Sequence, residues 1–129
     1  DGYPNSDVIK NDIILDRSFV LEDDGRIVAT AMLEVAIDPT YISIDGAWLN
    51  NEEYLVVHRI AVDDSLKGRG IAKIFLDEAI KYFNPSDIKM DTHKDNISMQ
   101  HFLKKYGFKY CGVIYLNNNE PRLAYQLSR

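Results

Sequence analysis

Apolar and polar positions recur along the chain with two different periods, one typical of strands and the other of helices. The run 19–38 consists of two apolar, β-rich segments joined by an Asp-Gly pair, and it predicts a hairpin with a two-residue turn. The segment 53–62 is the most strongly β-forming part of the chain, and 87–93 predicts a short strand. Towards the end, 108–128 predicts two more strands joined by a polar turn.

Helical spacing appears in three other segments. The segment 70–83 predicts a helix, and so does 96–107, where Asn96 is placed to cap the first turn and Gly107 to end the last. A short helix is also predicted within 3–18. The apolar face of the helix 70–83 comprises Ile71, Ile74, Phe75, Ala79 and Tyr82. That of the helix within 3–18 comprises Val8, Ile9, Ile13 and Ile14.

The predicted order is helix, strand pair, strand, helix, strand, helix and strand pair. This order is typical of a layered α/β domain with a mixed sheet, and it differs from a regular βαβ repeat. A chain of 129 residues is long enough for one domain with its own core. We therefore expect residues 1–129 to form a single domain.

Composition and charge exclude several classes of partner. A net charge of −5 and a pI near 5.1 argue against nucleic acid as the main partner, because phosphate binding needs a basic face. No apolar run reaches the length of a membrane span and no signal peptide is present, so no membrane partner is expected. A single cysteine, Cys111, cannot form an internal disulfide, which favours a cytoplasmic location. The histidines and Cys111 lack ligand spacing, so we expect no metal site.

A basic, glycine-spaced turn, "KGRGIA", stands where the helix 70–83 begins. Glycine lets a ligand approach the backbone, and the first turn of a helix presents N–H groups that favour anions. Lys67 and Arg69 add positive charge, so the turn is a candidate phosphate site. The alternatives are a solvated basic turn or a dinucleotide site, for which Asp91 lies at about the right distance from the glycines. The motif of a Walker loop is absent.

These segments resemble the GNAT N-acetyltransferase family from about residue 18 to the end. "KGRGIA" resembles its acetyl-coenzyme A (acetyl-CoA) motif, "HRIAV" the strand before it, and "DTHKDNISMQHFLKKYGFKYCG" its later part. The resemblance implies a GNAT-like acyl-CoA N-acyltransferase fold, with a central, mostly antiparallel sheet and helices on both faces. Family members usually have a further strand and helix upstream, so we expect an N-terminally truncated domain, an exposed apolar patch and a possible homodimer.

The resemblance also implies roles for individual residues towards acetyl-CoA. Backbone groups of a strand would pair with the pantetheine arm, backbone N–H groups of the turn would hold the pyrophosphate, and the Asn96 side chain would hydrogen-bond the pantetheine. The strand residues are Ile60, Ala61 and Val62, and the turn residues are Lys67, Gly68, Arg69, Gly70, Ile71 and Ala72. Lys67 departs from the usual Arg or Gln, and Asn96 has the alternative role of a simple helix cap.

Catalysis requires a base, because the acceptor amine must lose a proton before it attacks the thioester. The candidates are His58, Asp91 and His93. Many family members place a tyrosine, as general acid, where this chain has Leu103. We expect Tyr106 to be structural, since helix geometry turns it away from the direction of Asn96. The general acid that protonates the departing thiolate would then be water, Tyr110 or Tyr115.

The resemblance implies transfer of an acetyl group from acetyl-CoA to a primary amine of a small molecule, directly within a ternary complex. Acetylation of a protein or peptide N-terminus is one alternative, and a non-catalytic acyl-CoA-binding module is another. We expect the loop 38–53 to shape the acceptor pocket. Its side chains of interest are Tyr41, Asp45, Trp48, Glu52 and Glu53.

Overall fold

The structure, a computed structural model, describes residues 9–11, 18–66 and 68–129. Its strands are β1 (Ile9–Asn11), β2 (Ser18–Asp23), β3 (Arg26–Val35), β4 (Asp45–Gly46), β5 (Tyr54–Val62), β6 (Asp87–Thr92), β7 (Lys109–Tyr115) and β8 (Pro121–Ser128). Its helices are α1 (Ile71–Phe83) and α2 (Ile97–Tyr106), with short 3₁₀ turns at Pro39–Tyr41 and Asp64–Leu66. None of the described helices is long and apolar enough to cross a membrane.

Two compact units make up the chain. The first comprises 1–34 and 57–84, and the second comprises 35–56 and 85–129. The strand order is β1-β2-β3-β5 in the first unit and β5-β6-β8-β7-β4 in the second, so β5 contributes residues to both. Only β5 and β6 have a parallel register among the described pairs, while β1-β2, β2-β3, β6-β8, β7-β8 and β4-β7 are antiparallel. The predicted mixed α/β fold with a mostly antiparallel sheet is confirmed.

The first unit contains the predicted hairpin. Asp24 and Gly25 have φ values of 51° and 82°, as a two-residue turn of type I′ requires, and Asp23 pairs with Arg26 across it. Upstream, the predicted short helix is wrong for Ile9–Asn11, which forms β1 and pairs with β2. The edge of β2 offers these residues backbone partners, and such pairing outweighs a weak helical pattern. Val8, Ile13 and Ile14 lie outside the described residues.

Helix α1 buries its apolar face in the first unit, as its spacing predicts. The buried residues of the helix are Ile71, Phe75, Leu76 and Ala79. Phe19 of β2 packs edge-on against the ring of Phe83, with 5.5 Å between the ring centroids. Tyr82, expected on the same face, is 63% exposed, because it lies in the last turn and only borders the Phe19 and Phe83 rings. The helix ends at Asn84, just before Pro85.

The second unit packs its core under the loop 38–53. This core comprises Tyr41, Tyr54, Val56, Ile114 and Ala124, with Ile44, Trp48 and Leu116 packed against it. The loop is more ordered than the polar composition suggests, since it contains the 3₁₀ turn Pro39–Tyr41 and the strand β4. Helix α2 begins at its cap Asn96 and ends at Gly107, as expected, and buries Leu103.

Strand β4 lies against β7 through two glycines. Gly46 pairs with Gly112 next to an irregularity in the register of β7 and β8 between Tyr110 and Gly112. A Cβ atom on Gly112 would overlap the backbone oxygen of Asp45, and its φ is 144°. Only glycine allows this approach, so the pair fastens the loop 38–53 to the sheet.

We expect Gly112→Ala to lower the free energy of unfolding by on the order of 3 kcal/mol, since it combines backbone strain with overlap against Asp45. Urea unfolding of the intact chain measures this loss. Gly25→Ala is the matched control, because Gly25 also has a positive φ but an added Cβ there meets nothing within 4 Å. That variant should lose only about 1 kcal/mol. Equal losses in the two variants would contradict the close approach of β4 to β7.

Candidate functional site

The end of strand β5 carries an irregular backbone just before the residues predicted to bind pantetheine. Arg59 has a φ of 56°, in the left-handed region that residues with a side chain rarely adopt. Strain of this kind costs on the order of 1–3 kcal/mol and is concentrated at functional sites. Ile60, Ala61 and Val62 follow it as the last residues of β5. Nothing in the residue types of "HRIAV" identifies Arg59 as the strained position.

Asp63 anchors the loop that leaves β5. Its backbone N–H donates to the carbonyl of Val28 at 2.9 Å, and Arg26 Nη2 donates to Asp63 Oδ2 at 2.8 Å. The other carboxylate oxygen accepts from the backbone N–H of Ser65 at 2.9 Å and from its hydroxyl at 2.8 Å. These bonds, that from Arg26 first, lower the pKa of Asp63 from 3.8 to about 2. The sequence analysis missed this residue, although an Asp two residues before a Ser is a known turn signal.

The predicted phosphate turn follows this anchored loop. Gly68 and Gly70 have φ values of 83° and 75°, and Gly70 is the N-cap of α1. A Cβ atom on Gly68 would meet nothing within 4 Å, so the backbone of the turn is open to approach. The first-turn N–H groups, including those of Ile71 and Ala72, have no partner within the helix, and the helix dipole adds positive potential there. The geometry therefore suits an anion of phosphate type.

Charge at this turn comes from Arg69, which is exposed and whose N–H donates to the carbonyl of Leu66 at 3.3 Å. Lys67, the other predicted basic residue, lies outside the described residues. The structure thus has the predicted glycine turn before α1 in the first unit, and phosphate binding there stays a prediction. His58, a predicted catalytic residue of the same unit, lies half-buried on β5.

In the second unit, strand β6 presents three charged side chains in alternation, which places Asp87, Lys89 and Asp91 on one face. Asp87 is the most enclosed by polar groups. It accepts from Asn50 Nδ2 and from Gln126 Nε2, both at 2.8 Å. Burial alone raises the pKa of Asp87, but these hydrogen bonds, together with those from Ser86 and Ser128, outweigh burial and lower it. Asp87 is thereby held as a carboxylate inside the protein.

Lys89 lies between two aromatic rings and is only 5% exposed. Its Nζ is 4.2 Å from the centroid of the Trp48 ring and 4.0 Å from that of Tyr54. Burial lowers the pKa of Lys89, while the negative charge of Asp87 acts in the opposite direction. The ring faces stabilise the ammonium by cation–π attraction. The sequence analysis missed this lysine, whose only signal is that it shares one face of the strand with Asp87 and Asp91.

Asp91, a predicted catalytic residue, contacts the 38–53 loop through Tyr41. The hydroxyl of Tyr41 donates to Asp91 Oδ1 at 2.6 Å. Tyr41 is 2% exposed, and burial together with the charge of Asp91 raises the pKa of Tyr41 well above its usual value. The phenol therefore stays protonated and remains the donor.

His93 and Asn96 follow Asp91 in the second unit. His93 Nδ1 accepts from the backbone N–H of Asp95 at 3.0 Å, so the proton of a neutral ring lies on Nε2, 3.8 Å from Glu120 Oε1. Asn96 Oδ1 accepts from the backbone N–H of Met99 at 3.1 Å and thereby caps α2. The cap uses Oδ1, so a bond from Asn96 to pantetheine would come from Nδ2.

The residues considered for the general acid differ in their surroundings. Leu103 is fully buried, so a tyrosine at this position would overpack α2. The ring of Tyr106 packs against Phe102 and Phe108, with centroid distances of 5.7 and 6.0 Å, consistent with the expected structural role. Tyr115 donates to Asp45 Oδ2 at 2.9 Å, and this bond raises its pKa. Across the described part of the chain, no group of three His, Cys, Asp or Glu side chains is arranged to hold a metal ion.

Known proteins are similar to this chain in sequence and in fold. The family model described as "Acetyltransferase (GNAT) family" matches residues 3–108. A GNAT-family acetyltransferase from Streptococcus agalactiae is 37% identical, with a TM-score of 0.79 over 88% of this chain. This chain spans 65% of that protein's length. No curated protein sequence matches.

Two more distant structures share the fold. The ribosomal-protein-S18-alanine N-acetyltransferase from Escherichia coli is 16% identical, with a TM-score of 0.62 over 86% of this chain and 67% of its own. The NatC complex bound to Gag peptide and CoA is also 16% identical, with a TM-score of 0.64 over 88% of this chain and 72% of its own.

We expect Arg26→Ala to move the pKa of Asp63 from about 2 back towards 3.8, because Arg26 supplies the main bond that lowers it. A carboxyl ¹³C NMR titration measures this change. A carboxylate with a lowered pKa stabilises the fold above pH 3.8, and this contribution is lost as the pH falls through about 2. Arg122→Ala is the control, because Arg122 pairs with a different carboxylate, Glu120, at 2.7 Å. This variant should leave the titration of Asp63 unchanged. If the titration midpoint of Asp63 is the same with and without Arg26, the proposed bond from Arg26 does not hold Asp63.

Proposed function

The chain belongs to the acetyltransferase (GNAT) family, and on that basis we propose that it transfers an acetyl group from acetyl-CoA to a primary amine of a small molecule. The strand, anchored loop and helix N-terminus of the first unit are the observation that carries this proposal. They present backbone N–H groups of the kind that bind a pyrophosphate.

The residues of the first unit fit the cosubstrate. Gly68, Gly70, Ile71 and Ala72 would hold the pyrophosphate through backbone N–H groups, and Arg69, whose own N–H donates to Leu66, adds a positive charge. The open space beside Gly68 allows a bulky anion to reach the backbone. The backbone of Ile60, Ala61 and Val62 would pair with the pantetheine arm as an added strand does. Lys67 and Asn96 are proposed as further contacts.

Bound acetyl-CoA supplies the acetyl thioester, and the protein must take a proton from the acceptor amine. Asp91 is our leading candidate for this base, because it is half-buried and its Oδ1 is held by the Tyr41 hydroxyl. His58 is the second candidate. His93 is a weaker one, since its Nδ1 is occupied by the N–H of Asp95. The amine nitrogen then forms a bond to the acetyl carbon, the C–S bond breaks, and the thiolate takes up a proton from water or a nearby tyrosine.

The loop 38–53 and the net charge of −5 favour a cationic acceptor. Acetylation of a protein or peptide N-terminus is the alternative acceptor chemistry. A non-catalytic acyl-CoA-binding module is a further alternative. A screen for CoA release from acetyl-CoA separates the three, with spermidine, tyramine and histamine as small amines and short peptides with free N-termini as the other class. Release with small amines alone supports the proposal, and release with peptides alone overturns it. Binding of acetyl-CoA without any release indicates the module.

We expect acetyl-CoA to raise Tm by roughly 10 °C at a concentration about 100-fold above Kd, by mass action on the folded state. Gly70→Val should abolish the shift, because a branched side chain obstructs the backbone of the turn and strains a residue with a φ of 75°. Differential scanning fluorimetry measures both, and Tm without ligand shows whether the variant folds. NAD is the control ligand. A shift with NAD and none with acetyl-CoA would favour the dinucleotide interpretation.

We expect Asp91→Asn to lower kcat by about 10²-fold or more with little change in the KM of acetyl-CoA, as loss of a general base does. His58→Ala is the parallel test. Steady-state kinetics with the most active amine of the screen measure both variants. If both variants keep the pH–rate profile of the wild type, neither residue acts as the general base.

A further inference from the structure

Tyr41 connects the loop 38–53 to the candidate base on strand β6. We propose that Tyr41 is a positioning residue: its buried hydroxyl orients the Asp91 carboxylate for the acceptor amine. This inference rests on the proposed function, because it assumes that Asp91 receives the acceptor's proton. Tyr41 itself does not touch the reacting atoms in this scheme.

Tyr41 is held firmly enough to orient another group. Its backbone carbonyl accepts from Trp48 Nε1 at 2.8 Å, and its N–H donates to the carbonyl of Asp38 at 2.9 Å. Its ring centroid lies 5.2 Å from that of Trp48 and 6.2 Å from that of Tyr54. A side chain fixed by packing and backbone bonds holds its partner more precisely than a mobile one.

The bond itself fixes the direction of the Asp91 carboxylate. The distance of 2.6 Å between the Tyr41 hydroxyl and Asp91 Oδ1 is in the range of a charge-assisted O–H···O⁻ bond. Such bonds are about twice as strong as bonds between neutral groups. A carboxylate held by one of them keeps a defined orientation while the acceptor binds.

The three charges of β6 differ in access. Asp87 and Lys89 are 2% and 5% exposed and are enclosed by amides and by aromatic rings, whereas Asp91 is half-buried. Asp91 is thus the most accessible of the three to a dissolved amine. Its partner in the loop is a phenol, which donates one proton and brings no charge of its own.

Other ionisable groups lie near this pair and remain in Tyr41→Phe. They are Lys89 and His93 on the segment of Asp91, Asp38 and Tyr54, which act electrostatically on Tyr41, and Arg122 with its partner Glu120, near Ala124, which pairs with Asp91. A difference between the wild type and a variant that lacks only the Tyr41 hydroxyl therefore reports that hydroxyl.

The test is Tyr41→Phe, which removes one oxygen and keeps the ring among Trp48 and Tyr54. We expect kcat to fall by about tenfold, because the carboxylate loses the bond that fixes its direction. The KM of acetyl-CoA should stay within about twofold, and the loss of kcat should be smaller than in Asp91→Asn. The assay uses acetyl-CoA and the amine of the screen with the fastest CoA release.

Tyr54→Phe is the matched control. The Tyr54 hydroxyl accepts from the backbone N–H of Asp38 at 3.0 Å, so this variant also removes a phenol that fastens the same loop, without touching Asp91. Its kcat should stay within about twofold of the wild-type value. An equal loss of kcat in both variants would assign the effect to a loosened loop and overturn the proposal.

A second measurement does not depend on turnover. A hydroxyl proton held in a short, buried bond exchanges slowly, and we expect a downfield ¹H NMR signal that disappears in Tyr41→Phe and moves in Asp91→Asn. Signal loss together with an unchanged kcat in Tyr41→Phe, while Asp91→Asn still loses activity, would overturn the positioning role but leave the base intact. No CoA release from any amine or peptide would instead overturn the proposed function, and with it a catalytic role for Tyr41.

Discussion

A charged side chain that is buried needs a partner, because leaving it unpaired in the interior costs several kcal/mol. Strand β6 places Asp87, Lys89 and Asp91 on one face, and this constraint organises the second unit. The loop 38–53 provides a partner for each of them: the amide of Asn50, the ring of Trp48 and the phenol of Tyr41. The loop is thereby tied to the strand that carries the candidate base.

In the first unit, the loop between β5 and α1 must follow a defined path. The backbone leaves β5, passes Gly68 and enters α1 with its first-turn N–H groups exposed. Asp63 stabilises this path, since both of its carboxylate oxygens accept hydrogen bonds from Arg26 or Ser65. An anion site at a helix N-terminus depends on such support, because the backbone groups that bind the ligand are oriented only as well as the loop before them.

Local patterns predicted most of the elements because the signals lie within a few residues. The Asp-Gly pair specifies its own turn, Asn96 and Gly107 specify the ends of α2, and the spacing of Ile71, Phe75 and Ala79 specifies the buried face of α1. Residues 9–11 were wrongly expected to be helical, because the pairing edge that makes them a strand belongs to β2. The loop 38–53 was expected to be irregular, and its short strand β4 depends on Gly112, far along the chain.

The sequence by itself determined the mixed α/β class, the family resemblance and the glycine turn before α1, since each rests on short-range pattern. Only the tertiary structure showed that Lys89 is enclosed by aromatic rings, that Asp63 anchors the loop before this turn and that Tyr41 bonds to Asp91. Tyr41 and Asp91 lie 50 positions apart, and Arg26 and Asp63 lie 37 apart. Periodicity and propensity describe neighbours along the chain, whereas these hydrogen bonds exist only after the sheet has brought distant segments within about 3 Å of each other.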